Sequence, residues 1–305
     1  MLCQTPLLSS IRVLRVLPSR TLATFTTFTA ESVETCCEPS VRQIRDEFMR
    51  FGGGSVELRL NNATGVARIE LRNFGRKNAF SGRMMSEFAD TLDSLSNWSQ
   101  GKAVVIHGSN GFFSSGGDLE TVRQIANPFG GRKMSLLMHD NLTRLQCLPL
   151  VSVSLIDGMA IGGGAEVASS TDFRLMTPNA RFGFVHVRLG IVSAWGGGQR
   201  LVEIVGQKTA LDLMLTAKQI DPKEALRLGL CDAIVDEEDA IEAAVKWTQN
   251  KVMVTQDCVR AVKQVVNAGK HRNRDSALKH ELEESVQLWG STDHLKALKA
   301  NIKHK

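Results

Sequence analysis

The sequence predicts an α/β fold, on three observations. Short apolar or alternating segments recur from residue 56 to 177, glycine-rich turns follow two of them, and the chain beyond Gly196 reads almost wholly as helix. At 305 residues the chain can bury a sizeable core.

Each element has its own signal. Val41–Phe51 reads as a helix in a mixed linker (31–54), stopped by Gly52-Gly53-Gly54. Val56–Leu60 and Val66–Arg72 alternate apolar and polar residues around the turn Asn61-Asn62-Ala63-Thr64-Gly65, the pattern of a hairpin. Met84, Met85, Phe88, Leu92 and Leu95 recur at helical spacing, as do Met134, Leu137, Met138, Leu142 and Leu145 within Arg132–Cys147. Ala103–His107, Val151–Ile156 and Phe173–Thr177 are short apolar strands. From Gln199 to His304 the pattern is nearly all helical, with breaks near Gly206, Asp221-Pro222, Gly229 and Gly269.

Composition narrows the function classes. Aromatic residues make up 6% and tyrosine is absent, which argues against base or sugar stacking platforms. The net charge of +5 sits partly at the ends, on Arg12, Arg15 and Arg20 and on Lys299, Lys303 and Lys305. That reads as solvated basic tails and not as a nucleic-acid surface, though it suits a polyanionic ligand. The 6 cysteines form no C-x-x-C pair, so zinc and dithiol chemistry are not expected, and a reducing compartment fits. No metal ligand set is expected. No apolar run approaches the ~20 residues of a membrane span. Residues 1–30 are rich in Ser, Thr and Leu, and no acid precedes Glu31. Arg12 and Arg15 would share one helical face, so the segment reads as a mitochondrial transit peptide or as an extension with no address.

Two segments carry the chemistry: Phe112-Phe-Ser-Ser-Gly-Gly-Asp118 and Asp157-Gly-Met-Ala-Ile-Gly-Gly-Gly-Ala-Glu166. Each follows a strand, and the second opens a helix whose free N–H groups point outward. One donor from each, converging on one oxygen, would make an oxyanion hole. Val167 stands where a dinucleotide fingerprint needs its third glycine, and no P-loop Lys-Ser/Thr follows, so phosphate cradles are excluded. Asp118 is expected to cap its loop or the next helix. Trp195 should wall a pocket or the core, His107 reads as structural, and Cys147 and Cys231 lack the basic neighbour that marks a nucleophile.

The chain resembles the crotonase (enoyl-CoA hydratase/isomerase) superfamily from about Val56 to its end. The carriers are Arg76-Lys-Asn-Ala-Phe-Ser81, the Ser-Ser-Gly-Gly-Asp loop, Gly158-x-x-x-Gly-Gly-Gly-Ala-Glu166 and Gly190-Ile-Val-Ser-Ala-Trp-Gly-Gly-Gly-Gln-Arg-Leu201. The resemblance implies a ClpP/crotonase-like spiral of ββα units with a C-terminal helical region. Residues 1–54 would be an extension and linker, 55–305 the crotonase domain, 55–200 its ββα core and 201–305 its helical oligomerisation region. It also implies oxyanion donors at Gly117 and Gly163, and a coenzyme A channel along Arg76, Lys77, Asn78, Ala79 and Ser115. The acyl pocket would involve Trp195 and Gly196. The partners implied are an acyl-CoA substrate and a homotrimer or hexamer, with no membrane, no nucleic acid and no cofactor beyond the coenzyme A of the substrate.

Hydratases of this superfamily use two glutamates. The first matches Glu166, but the second position holds His186, so a two-carboxylate site is broken. Phe173-Arg-Leu-Met-Thr-Pro178, Phe184-Val-His186 and Leu201-Val-Glu-Ile-Val-Gly206 resemble the branch that decarboxylates ethylmalonyl-CoA to butyryl-CoA. Methylmalonyl-CoA is the poorer substrate of that branch, whose implied role is metabolite repair in the cytosol, against the mitochondrial reading of residues 1–30. Ser193, where the superfamily commonly has proline, and Gly198, in place of a threonine, are departures that could reshape the acyl pocket. His186 is then a cation or proton donor near the departing carboxylate or the α-carbon. Glu166 would shape the pocket or donate a proton, with its pKa raised by the substrate carboxylate. Two alternatives stay open: an enoyl-CoA isomerase using Glu166, and a non-catalytic acyl-CoA- or RNA-binding protein of this fold.

Overall fold

In the computed structural model, residues 39–236 and 238–300 are described. Residues 1–30, with their transit-peptide reading, lie outside them. The helices are α1 (Val41–Phe48), α2 (Gly82–Ser96), α3 (Leu119–Gln124), α4 (Pro128–Cys147), α5 (Gly163–Ala168), α6 (Gly197–Val205), α7 (Gln207–Thr216), α8 (Pro222–Arg227), α9 (Ala240–Lys251), α10 (Gln256–His271), α11 (Arg274–Leu288) and α12 (Thr292–Lys299). The strands are β1 (Ser55–Arg59), β2 (Val66–Arg72), β3 (Ala103–Gly108), β4 (Val151–Ile156), β5 (Met159–Ile161), β6 (Phe173–Met176), β7 (Arg181–Gly183) and β8 (Ala233–Ile234).

The main sheet runs β1-β2-β3-β4-β6-β8. The hairpin pair β1–β2 is antiparallel, and every later pairing is parallel. Parallel strands need crossovers, and helices on the sheet faces bury β3 and β4 on both sides, so β3 reads as an apolar run and β4 buries even Ser152 and Ser154. A second, two-stranded parallel sheet pairs β5 with β7. The core gathers Ile69, Phe80, Phe88, Phe113, Leu142, Phe182 and Leu201 into one cluster.

Helix α1 belongs to this core although it precedes residue 55. Ser40 and Gln43 form a capping box that starts it, and Ile44 and Phe48 are fully buried among the core side chains. One reading of the helical regions is corrected. Helix α4 begins at Pro128, capped by Asn127, and not at Arg132. The break expected near Gly269 falls just beyond it, where α10 ends at His271 and Asn273 caps α11. Within the nearly all-helical C-terminal region, β8 adds two residues to the sheet edge beside β6.

The topology positions the site. β3 and β4 are neighbouring parallel strands in register from Ala103↔Val151 to His107↔Leu155. The loops that follow them, 109–118 and 157–162, therefore leave the same edge of the sheet side by side. In open parallel sheets that edge, at the carboxyl ends of the strands, is where ligands bind.

Candidate active site

The two glycine loops are zipped together by backbone bonds. Ser114 N–H donates to the Met159 carbonyl (2.9 Å), and Ile161 N–H donates to the Ser114 carbonyl (3.1 Å). On its other side the first loop pairs with Phe80, whose N–H donates to the Gly116 carbonyl (2.7 Å) and whose carbonyl accepts from Asp118 N–H (2.8 Å). Successive peptide groups of an extended segment point to opposite sides. With its flanking groups committed to Phe80, the Gly117 N–H is turned the other way. Gly163 is the first residue of α5, where helix geometry leaves an N–H without an intrahelical acceptor. Among the described residues, neither amide donates to a backbone carbonyl outside regular elements.

Close approach explains why both loops need glycine. Gly116 has φ +100°, and a Cβ on it would lie 2.8 Å from the Gly163 nitrogen. A Cβ on Gly163 would lie 2.4 Å from Trp195 Cζ3, and one on Gly117 would lie 3.8 Å from Trp195 Cζ2. The buried indole of Trp195, edge-on to Phe80, thus sits against both proposed donors.

Glu166 is 1% exposed and each of its oxygens is occupied. Oε1 accepts from the Ser193 hydroxyl (2.6 Å), Trp195 N–H (2.7 Å) and Gly197 N–H (3.0 Å). Oε2 lies 3.0 Å from His186 Nε2. The residues 193–197 reach it because a Gly196 in the left-handed region turns the chain into α6 and aims the first amide of that helix at the carboxylate. Burial alone would push the Glu166 carboxyl up. The bonds from His186, Ser193 and Gly197 outweigh it and hold the group below its ordinary value. In the free protein, four donors supplied by the chain stabilise the anion; the rise expected beside a substrate carboxylate concerns the substrate-bound site.

His186 begins a 3₁₀ turn, His186–Leu189, and is 9% exposed. Its Nε2 is taken by Glu166, while its buried Nδ1 has no hydrogen-bond partner among the described residues. Arg200, also buried, donates from Nη2 to the Trp195 carbonyl (2.6 Å), so the Trp195 peptide is clamped between Glu166 and Arg200. Burial lowers the Arg200 pKa, and the Glu166 charge opposes that shift.

A cavity of ≈ 410 Å³ brings Gly117, Gly163, Glu166, His186 and Trp195 together, and Arg76, Ala79 and Ser115 line it as well. Its remaining lining is mostly aliphatic, including Val122, Met134, Ile161, Ile191 and Val192, and its size suits a small acyl group. Lys77, Asn78 and Gly196 are not on this wall. Asn78 is 2% exposed and staples two loops: Oδ1 accepts from Asn73 N–H, and Nδ2 donates to the Ser109 and Phe112 carbonyls. Lys77 lies over the Phe112 ring, 5.5 Å from its centroid. Arg76 pairs with Asp118 (3.2 Å) and Glu120 (2.7 Å). Asp118 caps α3 by accepting from Glu120 N–H.

Sequence reasoning noted Ser193 only as a departure and gave Arg200 no role. A hydroxyl in place of an imino acid, near a carboxylate that must be buried, was the one available signal for Ser193.

The sequence description Enoyl-CoA hydratase/isomerase matches residues 61–303. The chain belongs to the enoyl-CoA hydratase/isomerase family. It is 42% identical over 265 residues to a Xenopus laevis protein named ethylmalonyl-CoA decarboxylase, covering 86% of this chain and 88% of that one. A Danio rerio protein of the same name is 41% identical, covering 88% and 91%, and a Homo sapiens one is 36% identical, covering 84% of each. Solved structures agree on the fold. An enoyl-CoA hydratase from Thermoplasma volcanium superposes with a TM-score of 0.72 at 26% identity, covering 81% of this chain and 97% of its own. A Thermobifida fusca structure, titled a putative enoyl-CoA hydratase in complex with acetoacetyl-CoA, superposes with a TM-score of 0.67 at 28% identity, covering 76% and 93%.

Proposed function

We propose that the chain decarboxylates a malonyl-type CoA thioester, ethylmalonyl-CoA to butyryl-CoA by preference and methylmalonyl-CoA less well. The observation that carries this reading is the Glu166–His186 pair. A hydratase needs two carboxylates free to hold water, and an isomerase needs one with a lone pair open to the substrate. Here Oε1 of Glu166 accepts from three protein donors and Oε2 is engaged by His186, Asp118 is tied to Arg76 and to the start of α3, and the buried Nδ1 of His186 is left without a hydrogen-bond partner. The identity to proteins named ethylmalonyl-CoA decarboxylase supports the same reaction.

The thioester carbonyl accepts from the Gly117 and Gly163 amides. The bond between Cα and the substrate carboxylate breaks, its electron pair becomes the enolate, and CO₂ leaves. Each amide aimed at the developing oxyanion contributes about 3 kcal/mol in a water-excluded site. His186 in its protonated form gives the Nδ1 proton to Cα and is left as the Nε2–H tautomer held by Glu166. Solvent then restores the proton. Coenzyme A arrives with the substrate, and the step asks for no separate cofactor. Such an activity suits metabolite repair in the cytosol.

The test is incubation of the purified chain with ethylmalonyl-, methylmalonyl- and crotonyl-CoA, following CO₂ release and hydration separately. CO₂ from the first two, faster with the ethyl compound, is expected. Hydration of crotonyl-CoA with no CO₂ from either malonyl compound would overturn the proposal.

A further inference from the structure

We propose that Ser193 is a positioning residue, whose hydroxyl fixes the Glu166 carboxylate in the place from which its other oxygen holds His186. The argument starts from the direction of one proton. Gly198 N–H donates to Ser193 Oγ at 3.0 Å, and Ser193 Oγ lies 2.6 Å from Glu166 Oε1. An ionised carboxylate only accepts, so the hydroxyl proton is committed to Oε1 while its oxygen receives the amide. The chain Gly198 N–H, Ser193 O–H, Glu166 therefore has one polarity, and each bond strengthens the next.

The start of α6 shows why the hydroxyl is needed. The residue before the helix is Gly196, which has no side chain to cap it. Its first amide, Gly197 N–H, goes directly to Glu166, and its second, Gly198 N–H, goes to Ser193. Ser193 thus carries the second amide of the helix to the same carboxylate and completes its cap. Without the hydroxyl, Gly198 N–H has no acceptor and Oε1 keeps two donors. The carboxylate is then held on that side by two amides alone, so its position is less tightly fixed, and with it that of the oxygen that pins Nε2 of His186. Loss of the Ser193 bond would also remove one of the contacts that hold Glu166 ionised.

The groups facing this carboxylate are few. His186 approaches from the 3₁₀ turn and Arg200 from α6. Arg76, Asp118 and Arg188 stand on the wall of the same cavity. Arg76 is already paired with Asp118 and Glu120, and Arg188 donates to the Ala217 carbonyl.

The kinetic arm of the test rests on the decarboxylase reading, and the spectroscopic arm does not. In protein labelled with ¹³C at the glutamate carboxyls, the Glu166 resonance, assigned by its absence in E166Q, is titrated in the wild type, S193A and S193T. S193A should move its midpoint up by about one unit, the tenfold effect that one hydrogen bond to a charged group carries. S193T, which keeps the hydroxyl, should return it to the wild-type position. In the kinetic arm, S193A should lower kcat for CO₂ release roughly tenfold with KM little changed, and its acid limb should move with the carbon signal. An unmoved Glu166 titration in folded S193A, or a shift as large in S193T, overturns the inference even if the enzyme decarboxylates normally. If S193A does not fold, S193C, close in shape and a weak donor, takes its place with the same expected direction.

Discussion

The Trp195 indole rests against the backbone of Gly163, so closely that a methyl group there would lie 2.4 Å from Cζ3 and 2.6 Å from Cη2. At Gly117 the nearest atom to such a methyl is Val122 Cγ2, at 3.6 Å, an ordinary contact. The two proposed donors thus differ in what they tolerate. G163A should displace the indole or shift its own amide, cost about 1–3 kcal/mol of stability through overpacking, and lower kcat by up to the ~10²–10³ of an oxyanion donor moved out of line. G117A should keep its stability within about 0.5 kcal/mol. Thermal melts and single-turnover CO₂ release compare the pair.

His186 is expected to act chemically. H186A should lower decarboxylation by ~10²–10⁴, the range for a positioned proton donor. Solvent-deuterium incorporation at Cα should lose its stereochemical preference as well. Full activity in a folded H186A enzyme would falsify the proton-donor role.

Glu166 links the site to acid stability. Its folded value lies below the ordinary 4.5. Its contribution is therefore fully present above about pH 4.5 and lost as the pH falls through the folded value. E166Q should be less stable than the wild type at neutral pH, and the gap should narrow progressively below pH 4.5. Urea midpoints measured from pH 7 to pH 3 give the comparison.

Asn78 should matter for stability and not for substrate contact. N78A would strand buried groups of Asn73, Ser109 and Phe112 and place alanine at φ +53°. A loss of about 2–3 kcal/mol is expected from the unsatisfied groups. KM for the acyl-CoA should hold at temperatures where the variant is folded.

Burial pushes the Cys231 thiol up to about 11, whereas Cys147 is exposed. Iodoacetamide at pH 8 should label Cys147 and spare Cys231 in the folded chain, read by peptide mapping. Decarboxylation should survive that labelling.

Much of this was legible beforehand because local rules govern it. The hairpin, the apolar strands β3 and β4 and the paired glycine loops all follow from periodicity and from turns that only glycine allows. The missed elements were too short to show a period: β5 and β7 have three residues each and β8 has two. The donors that hold Glu166 in the free protein were illegible for another reason. Two of its donors are backbone amides, those of Trp195 and Gly197, which carry no residue signature and lie 29 and 31 positions away.

Those same bonds make the carboxylate a latch between two stretches of chain, 163–168 and 193–198. Neither stretch can part from the other without leaving an anion in a dry cavity, so small partial openings are suppressed. The pocket floor should open all at once or stay shut, and the amides of Trp195 and Gly197 should exchange with solvent at one common rate. A single proton on Glu166 releases the latch.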